Sequence, residues 1–128
     1  NYRKRAARER GAAATGATRE IATGLLPVMD NLERAVGALA EHGEEAVSGV
    51  DMVRGQLESV LLNAGVEVVT AAAGEPFDPA VHEAIAQQPT GDLPEGAITE
   101  VVQKGYRDAE GVVRPARVVV ATPAGPGA

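Results

Sequence analysis

The 128-residue sequence has no cysteine and no tryptophan, it has a single phenylalanine, and only 2% of its residues are aromatic. Without cysteine, a disulfide, a thiolate metal site and a cysteine nucleophile are all excluded. A core without tryptophan and with a single phenylalanine buries little area per residue, so we expect association with a second chain to add stability. The lack of cysteine also fits a reducing compartment, and we expect a cytoplasmic location.

Long apolar stretches are missing as well. No run approaches the roughly 20 apolar residues that span a bilayer, and the first five residues, Asn-Tyr-Arg-Lys-Arg, lack the apolar segment of a signal peptide. We therefore expect no membrane partner. Because the sequence does not start with methionine, we expect it to be the ordered part of a longer chain.

Charge is distributed unevenly along the chain. Residues 1–19 carry six basic residues and one acid, whereas residues 20–100 carry fifteen acids and two arginines, and the overall net charge is -6. The basic start is compatible with contacts to phosphates or to an acidic protein surface, and equally with a solvated helix face. Its arginines fall on several helix faces without interleaved aromatics, so we expect no nucleic-acid partner.

Residues 1–40 are predicted to form one long helix, kinked but continuous at Pro27. Its apolar residues recur at alternating steps of four and three, a heptad pattern that places them on one narrow stripe. Such a stripe is typical of a seam between helices. The predicted seam consists of Ile21, Leu25, Val28, Leu32, Ala35 and Leu39.

A polar turn over residues 41–47 is predicted to lead into a second, antiparallel helix. Ser48 and Asp51 have the spacing of a capping box, and Gly65 is the residue type that commonly ends a helix. A helix pair leaves one apolar side open, so we expect two chains to close a four-helix bundle. The predicted seam continues with Val50, Val53, Leu57, Val60 and Ala64.

The residues after Gly65 predict a small antiparallel β head. Strands are expected at 66–69, 98–106 and 112–121, a turn at 93–96, and a short helix from Asp78 to about Ala86. The predicted fold class is thus α+β, with a helical stalk and dimerisation bundle (1–64), a β-rich head (65–122) and a flexible tail (123–128).

Motifs that mimic catalytic or metal sites are incomplete. Gly11–Thr18 has the glycine spacing of a phosphate-binding loop, but Ala17 stands where the lysine is needed. His82-Glu83 begins like a zinc-protease motif, but residue 86 is alanine, so His82 is interpreted as a capping or packing residue. We expect no catalytic residue, metal site or cofactor; a small hydrolase remains a remote alternative.

Five segments, in order, resemble the GrpE family, the nucleotide exchange factors of DnaK-type chaperones. They cover the chain from residue 1 to about 121. The segments are Asn1–Arg5, Leu25–Ala35, Gly65–Glu67, Phe77–Ala84, and Gln103–Tyr106 with Val113–Val118.

The resemblance implies a parallel homodimer that binds the chaperone's nucleotide-binding domain and holds its cleft open so that ADP leaves. It also implies that Gly49 is a bundle glycine whose replacement disturbs chaperone binding. Some members contact the chaperone through an arginine in the turn before the last strand. That position is Gly111 in this sequence, and Arg107 or Arg114 is a candidate substitute for the contact. The implied chaperone contacts are Arg3, Arg5, Phe77, Val102, Arg114 and Val120. A dimeric coiled-coil adaptor for another protein is the alternative function.

Overall fold

The computed structural model describes the backbone of residues 2–124 and the side chains of residues 16–124. The chain divides into two compact units, Asn1–Val66 and Glu67–Ala128. The first unit is helical, and the described part of the second is built from strands. The α+β class is therefore confirmed.

The helical unit consists of α1 (Tyr2–Leu39), a 3-10 turn (Ala40–His42) and α2 (Glu44–Asn63). Helix α1 runs through Pro27 without a break, as predicted. The chain reverses at Gly43, whose φ of 99° favours glycine. At the end of α2, Gly65 has a φ of 90° and donates its N–H to the Leu62 carbonyl at 2.9 Å, which confirms the predicted stop.

The predicted capping box at Ser48 is wrong, because α2 begins four residues earlier, at Glu44. Gly43 flanks this start, and Glu44 and Glu45 occupy the first turn, where carboxylates interact favourably with the positive end of the helix dipole. Ser48 consequently lies inside the helix rather than at its end.

Helices α1 and α2 pack against each other through a stripe that differs from the predicted seam. Among the side chains of α1 that the structure describes, the buried ones are Ala22, Leu26 and Met29, at steps of four and three. Each lies one position after a predicted seam residue, a rotation of about 100° around the helix. Helix α1 therefore carries two adjacent apolar stripes, and this chain buries the second.

The strands of the second unit form two three-stranded sheets within the described residues. The first sheet has the order β1-β4-β5 and is antiparallel. The second has the order β2-β6-β3, in which β6 is antiparallel to β3 but parallel to β2. The antiparallel prediction is thus corrected at the β2–β6 pair. The strands are β1 (Glu67–Val68), β2 (His82–Pro89), β3 (Ile98–Gln103), β4 (Tyr106–Asp108), β5 (Gly111–Arg114) and β6 (Ala116–Thr122).

The short helix predicted from Asp78 to Ala86 is also wrong. Asp78 does accept the Ala80 N–H at 3.0 Å, but the turn that it starts ends by His82, where β2 begins. Pairing with β6 supplies backbone partners as far as Pro89, so the sheet overrides the local helix signal. The predicted strands at 98–106 and 112–121 exist, but each is interrupted, at Lys104-Gly105 and at Pro115.

The core of the β unit lies on one side of the β2-β6-β3 sheet. It is formed by Val69, Ile98, Ala116, Val118 and Val120, against which Phe77 and Val101 pack partly buried. The predicted turn at 93–96 is present, since Ala97 donates to the Pro94 carbonyl at 3.0 Å and Gly96 has a φ of 83°. Of the predicted tail, residues 125–128 lie outside the described part.

Among the residues described, neither helix carries a stretch long and apolar enough to cross a membrane.

Candidate functional site

The predicted stalk contacts Arg3 and Arg5 lie on the first turns of α1. Their side chains are outside the described residues, so the structure places their backbone only. Their role remains a prediction from the resemblance.

The predicted dimerisation seam alternates between exposed and partly buried positions in the single chain. Ile21 is 67% exposed and Val28 is 46% exposed on α1, while Val53 and Val60 are 51% and 59% exposed on α2. Met52 and Leu62, which the heptad pattern did not include, are exposed to a similar degree. Partly buried seam positions alternate with these; they are Leu25, Leu32, Leu39, Val50 and Leu57.

Large aliphatic side chains repeated along two packed helices are unusual on the surface of a monomer. The helices that expose them belong to one unit and pack against each other, while Ala22, Leu26 and Met29 of α1 and Leu61 of α2 are buried. The exposed stripe is therefore not required to hold the hairpin together. Its chemistry suits a second helical surface.

Gly49 lies on α2 with open space around it: a Cβ built on this glycine meets no atom within 4 Å. Nothing inside the described chain therefore requires glycine at position 49. A sensitivity to substitution at this position would have to come from a partner molecule.

A charged residue of α2 reaches across the helical hairpin. Arg54 of α2 donates from Nε to Asp51 at 2.6 Å and from Nη1 to Glu58 at 2.5 Å, and Nη1 lies 3.8 Å from Glu33 of α1. These interactions, led by the hydrogen bond to Asp51, raise the pKa of Arg54 above its ordinary value against the opposing effect of burial. The guanidinium therefore stays charged, and it links the two helices.

Phe77 lies in the loop that precedes β2, partly buried against the core of the β unit. Its backbone N–H donates to the Gly96 carbonyl at 3.1 Å, and its ring centroid lies 5.9 Å from that of His82. The neighbouring bridge between Pro76 and Ala97 fixes the same loop to the strand region before β3. The position of Phe77 is thus set from both the backbone and the ring.

Val102 and Val120 lie in adjacent strands with very different exposure. Val102 of β3 is 50% exposed, whereas Val120 of β6 is 8% exposed and belongs to the core. Only Val102 presents a large apolar surface to a partner. The burial of Val120 argues for a supporting role behind that surface.

Arg114 is held in place by two contacts. Its Nε donates to the Lys104 carbonyl at 2.9 Å, and its guanidinium carbon lies 5.4 Å from the ring centroid of Tyr106. Arg107 lies on the opposite strand of the same hairpin, with Nε 3.3 Å from Glu67. Gly111, with a φ of 129°, lies at the turn between β4 and β5. Arg107 and Arg114, the two candidates for the arginine contact missing at Gly111, therefore lie on the two strands that this turn joins.

The seam prediction missed the intrachain contact made by Leu26 and Met29. Both belong to the Leu-Leu-Pro-Val-Met segment, in which apolar residues occupy neighbouring positions, so a single stripe could not contain all of them. That crowding was the available signal for a second apolar face.

The described residues contain no group of three or more histidine, aspartate or glutamate side chains arranged to hold a metal ion. The predicted chaperone contacts and the predicted seam consist of aliphatic, aromatic and cationic side chains, and aromatic and arginine side chains are common in protein interfaces.

Comparison with known proteins gives a match to the GrpE family model over residues 1–122. Protein GrpE of Geobacillus thermodenitrificans is 39% identical over 122 residues, which are 94% of this chain and 55% of that protein. Protein GrpE of Brevibacillus choshinensis is 41% identical over 122 residues, 94% of this chain and 68% of that protein. Protein GrpE of Rhodopirellula baltica is 42% identical over 127 residues, 95% of this chain and 63% of that protein. The chain thus spans between about half and two thirds of the length of these relatives.

Proposed function

Because the chain belongs to the GrpE family, we propose that it is a nucleotide exchange factor for a DnaK-type chaperone. In this role it binds the chaperone's nucleotide-binding domain, promotes release of ADP, and so takes part in protein folding and the heat-shock response. It performs no chemistry of its own. The observation that carries the proposal is the family match across residues 1–122, which includes both the helical and the β unit.

The working form that we propose is a homodimer. Two copies that pair through the exposed stripe of Ile21, Val28, Val53 and Val60 would remove apolar surface from water on four helices at once. Fully burying one exposed side chain of this kind is worth roughly 1.5–3 kcal/mol. The four are 46–67% exposed in the single chain, so each contributes part of that value against the cost of bringing two chains together. The hairpin contact through Leu26 and Met29 leaves the stripe free for this purpose.

The proposed chaperone contacts combine cationic and apolar side chains. Arg3 and Arg5 provide charge on the helix, while Phe77, Val102 and Arg114 provide the surface of the β unit. Val102 is the most exposed of the apolar contacts, and Arg114 is already oriented by the Tyr106 ring. Val120, which is buried, supports the sheet beneath them.

Exchange by such a protein requires no acid, base or metal. A protein that binds the open form of the nucleotide cleft better than the closed form shifts the population toward the open form, by no more than the difference between the two affinities. A difference of about 4 kcal/mol changes nucleotide affinity about a thousandfold. By thermodynamic linkage, ADP must weaken the chaperone's affinity for this protein by the same factor.

The test is release of a fluorescent ADP analogue from a DnaK-type chaperone, measured with and without the protein. Faster release, together with a complex that ADP weakens, supports the proposal. Unchanged release from a chaperone that nevertheless forms a stable complex favours a dimeric coiled-coil adaptor instead.

The expected setting is the cytoplasm, without a nucleic-acid or membrane partner.

A further inference from the structure

His82 is a buried polar side chain of the β unit, with 6% of its surface exposed. It is the first residue of β2, and both of its ring nitrogens are engaged. Nδ1 accepts a hydrogen bond from the backbone N–H of Asp78 at 3.0 Å, and Nε2 lies 3.0 Å from the carbonyl oxygen of Thr70.

These two partners determine where the ring carries its proton. A backbone N–H can only donate, so Nδ1 of His82 must be the unprotonated acceptor. A backbone carbonyl can only accept, so Nε2 must carry the proton that is donated to Thr70. One tautomer of the neutral ring satisfies both contacts, whereas the other tautomer satisfies neither.

The hydrogen bond to Nδ1 also closes the turn in front of β2. The Asp78 carbonyl accepts the backbone N–H of His82 at 2.8 Å, while the Asp78 N–H donates back to the His82 ring. Residues 78 and 82 are thus joined reciprocally, and Nε2 ties the closed turn to the segment after β1. Breaking the ring contacts would release the turn from Thr70 while leaving its backbone bond.

Phe77 directly precedes this turn, and its ring packs on that of His82 at an interplanar angle of 41°. We propose that His82, in its Nε2–H tautomer, is a positioning residue that fixes the Asp78 turn and thereby holds Phe77 in the orientation that contacts the partner. The inference rests on the proposed function for the role of Phe77. The tautomer and the positioning of Phe77 can be tested without that function.

The first experiment measures the tautomer in the unmodified protein by two-bond ¹H–¹⁵N correlation spectroscopy of the histidine rings. The chain contains two histidines, and His42 is exposed at the end of the 3-10 turn, so it serves as the internal reference. We expect the pattern of an Nε2–H ring at His82 near neutral pH and fast tautomer exchange at His42. A protonated Nδ1 at His82 would overturn the proposal.

The second experiment uses the fact that Phe77 is the only phenylalanine in the chain. Incorporating 4-fluorophenylalanine gives one ¹⁹F resonance that reports the surroundings of this ring. His82→Asn retains an acceptor at the position of Nδ1, whereas His82→Gln places an amide nearer to Thr70 and loses that acceptor. We expect a larger change of the ¹⁹F resonance in His82→Gln than in His82→Asn, and none in the control His42→Gln.

The third measurement is ADP release with the same variants. Loss of the Asp78 contact in His82→Gln is expected to reduce the acceleration of release about fivefold, which corresponds to about 1 kcal/mol, with His82→Asn closer to the unmodified protein. Amide spectra showing an intact β6 in each variant exclude unfolding as the cause.

An unchanged ¹⁹F resonance in His82→Gln, or an altered resonance with undiminished exchange, would refute the positioning role. If the unmodified protein fails to accelerate release, the proposed function fails, and the first two experiments still decide whether His82 positions Phe77.

Discussion

Arg54 of α2 reaches across the helical hairpin to Glu33 of α1, with Nη1 3.8 Å from Oε1 of the glutamate. The same guanidinium is bonded to Asp51 and Glu58 of its own helix, and the Arg54 side chain is only 20% exposed. A cation that faces three carboxylates in a partly buried position fixes how the two helices are aligned. Arg54 lies two helical turns before the buried Leu61, on the same side of α2, where an apolar residue would otherwise be expected.

Replacing Arg54 by methionine is expected to lower the free energy of unfolding of the helical unit by about 1 kcal/mol, since the carboxylate side chains are 33–49% exposed and solvent screens them. The loss should shrink at high salt concentration. Urea unfolding followed by circular dichroism, at low and high salt, measures both effects. Arg34→Met is the matched control, because Arg34 bonds to Asn31 within α1. Equal losses in the two variants would show that the link to Glu33 contributes nothing.

The helical unit followed largely from the sequence, because its signals are periodic and local. The length of α1, its passage through Pro27 and the stop at Gly65 all appear in the structure. What the heptad rule could not decide was which of two adjacent stripes the chain buries on itself. That choice depends on how α1 meets α2, and neither helix contains this information alone.

The β unit was predicted less well for a physical reason. Asp78-Pro79 is a genuine helix-start signal, but the residues after His82 gain a parallel partner in β6, which is more than thirty residues away in sequence. Long-range pairing of this kind overrides local propensity. Of the candidate contacts, the exposure of Val102 and the burial of Val120 were likewise set by the sheet rather than by residue type.

Gly105 is required by the close approach of another part of the chain. A Cβ on Gly105 would overlap the backbone nitrogen of Ala116 and the carbonyl carbon of Pro115. Neither backbone atom can move without disturbing the start of β6, so Gly105→Ala should destabilise the β unit by about 3 kcal/mol, the upper end of the usual cost of overpacking. Thermal unfolding followed by the ring signals of Tyr106 measures the loss. Gly91→Ala is the control, since a Cβ there meets nothing within 4 Å; the idea fails if both variants unfold alike.

Gly49 presents the opposite case, because its surroundings in the chain are open. Gly49→Leu should therefore keep or raise helix stability, by up to about 0.8 kcal/mol from helix propensity. If a partner covers position 49, the same change should weaken chaperone binding or dimerisation. Calorimetric titration measures chaperone binding, and sedimentation velocity measures dimerisation. Gly37→Leu, at an equally open position on α1, is expected to give the stability change alone. Undiminished binding by Gly49→Leu would remove this position from the proposed interface.

Val53 and Val102 allow the two proposed surfaces to be separated by one kind of substitution. They are 51% and 50% exposed, on α2 and on β3 respectively. Aspartate at position 53 would place a charge in the seam of both copies, so Val53→Asp should raise the dimer dissociation constant by at least about a hundredfold. Light scattering across a concentration series measures this.

Val102→Asp is expected to leave the proposed dimer intact and to reduce the acceleration of ADP release about tenfold, because it removes a proposed apolar contact with the chaperone. The comparison is informative because the two valines expose nearly the same fraction of their surface and receive the same charge. A general effect of a surface aspartate would act equally in both variants. If Val102→Asp dissociates the dimer, or Val53→Asp leaves it intact, the division between a pairing helical surface and a chaperone-binding β surface is wrong.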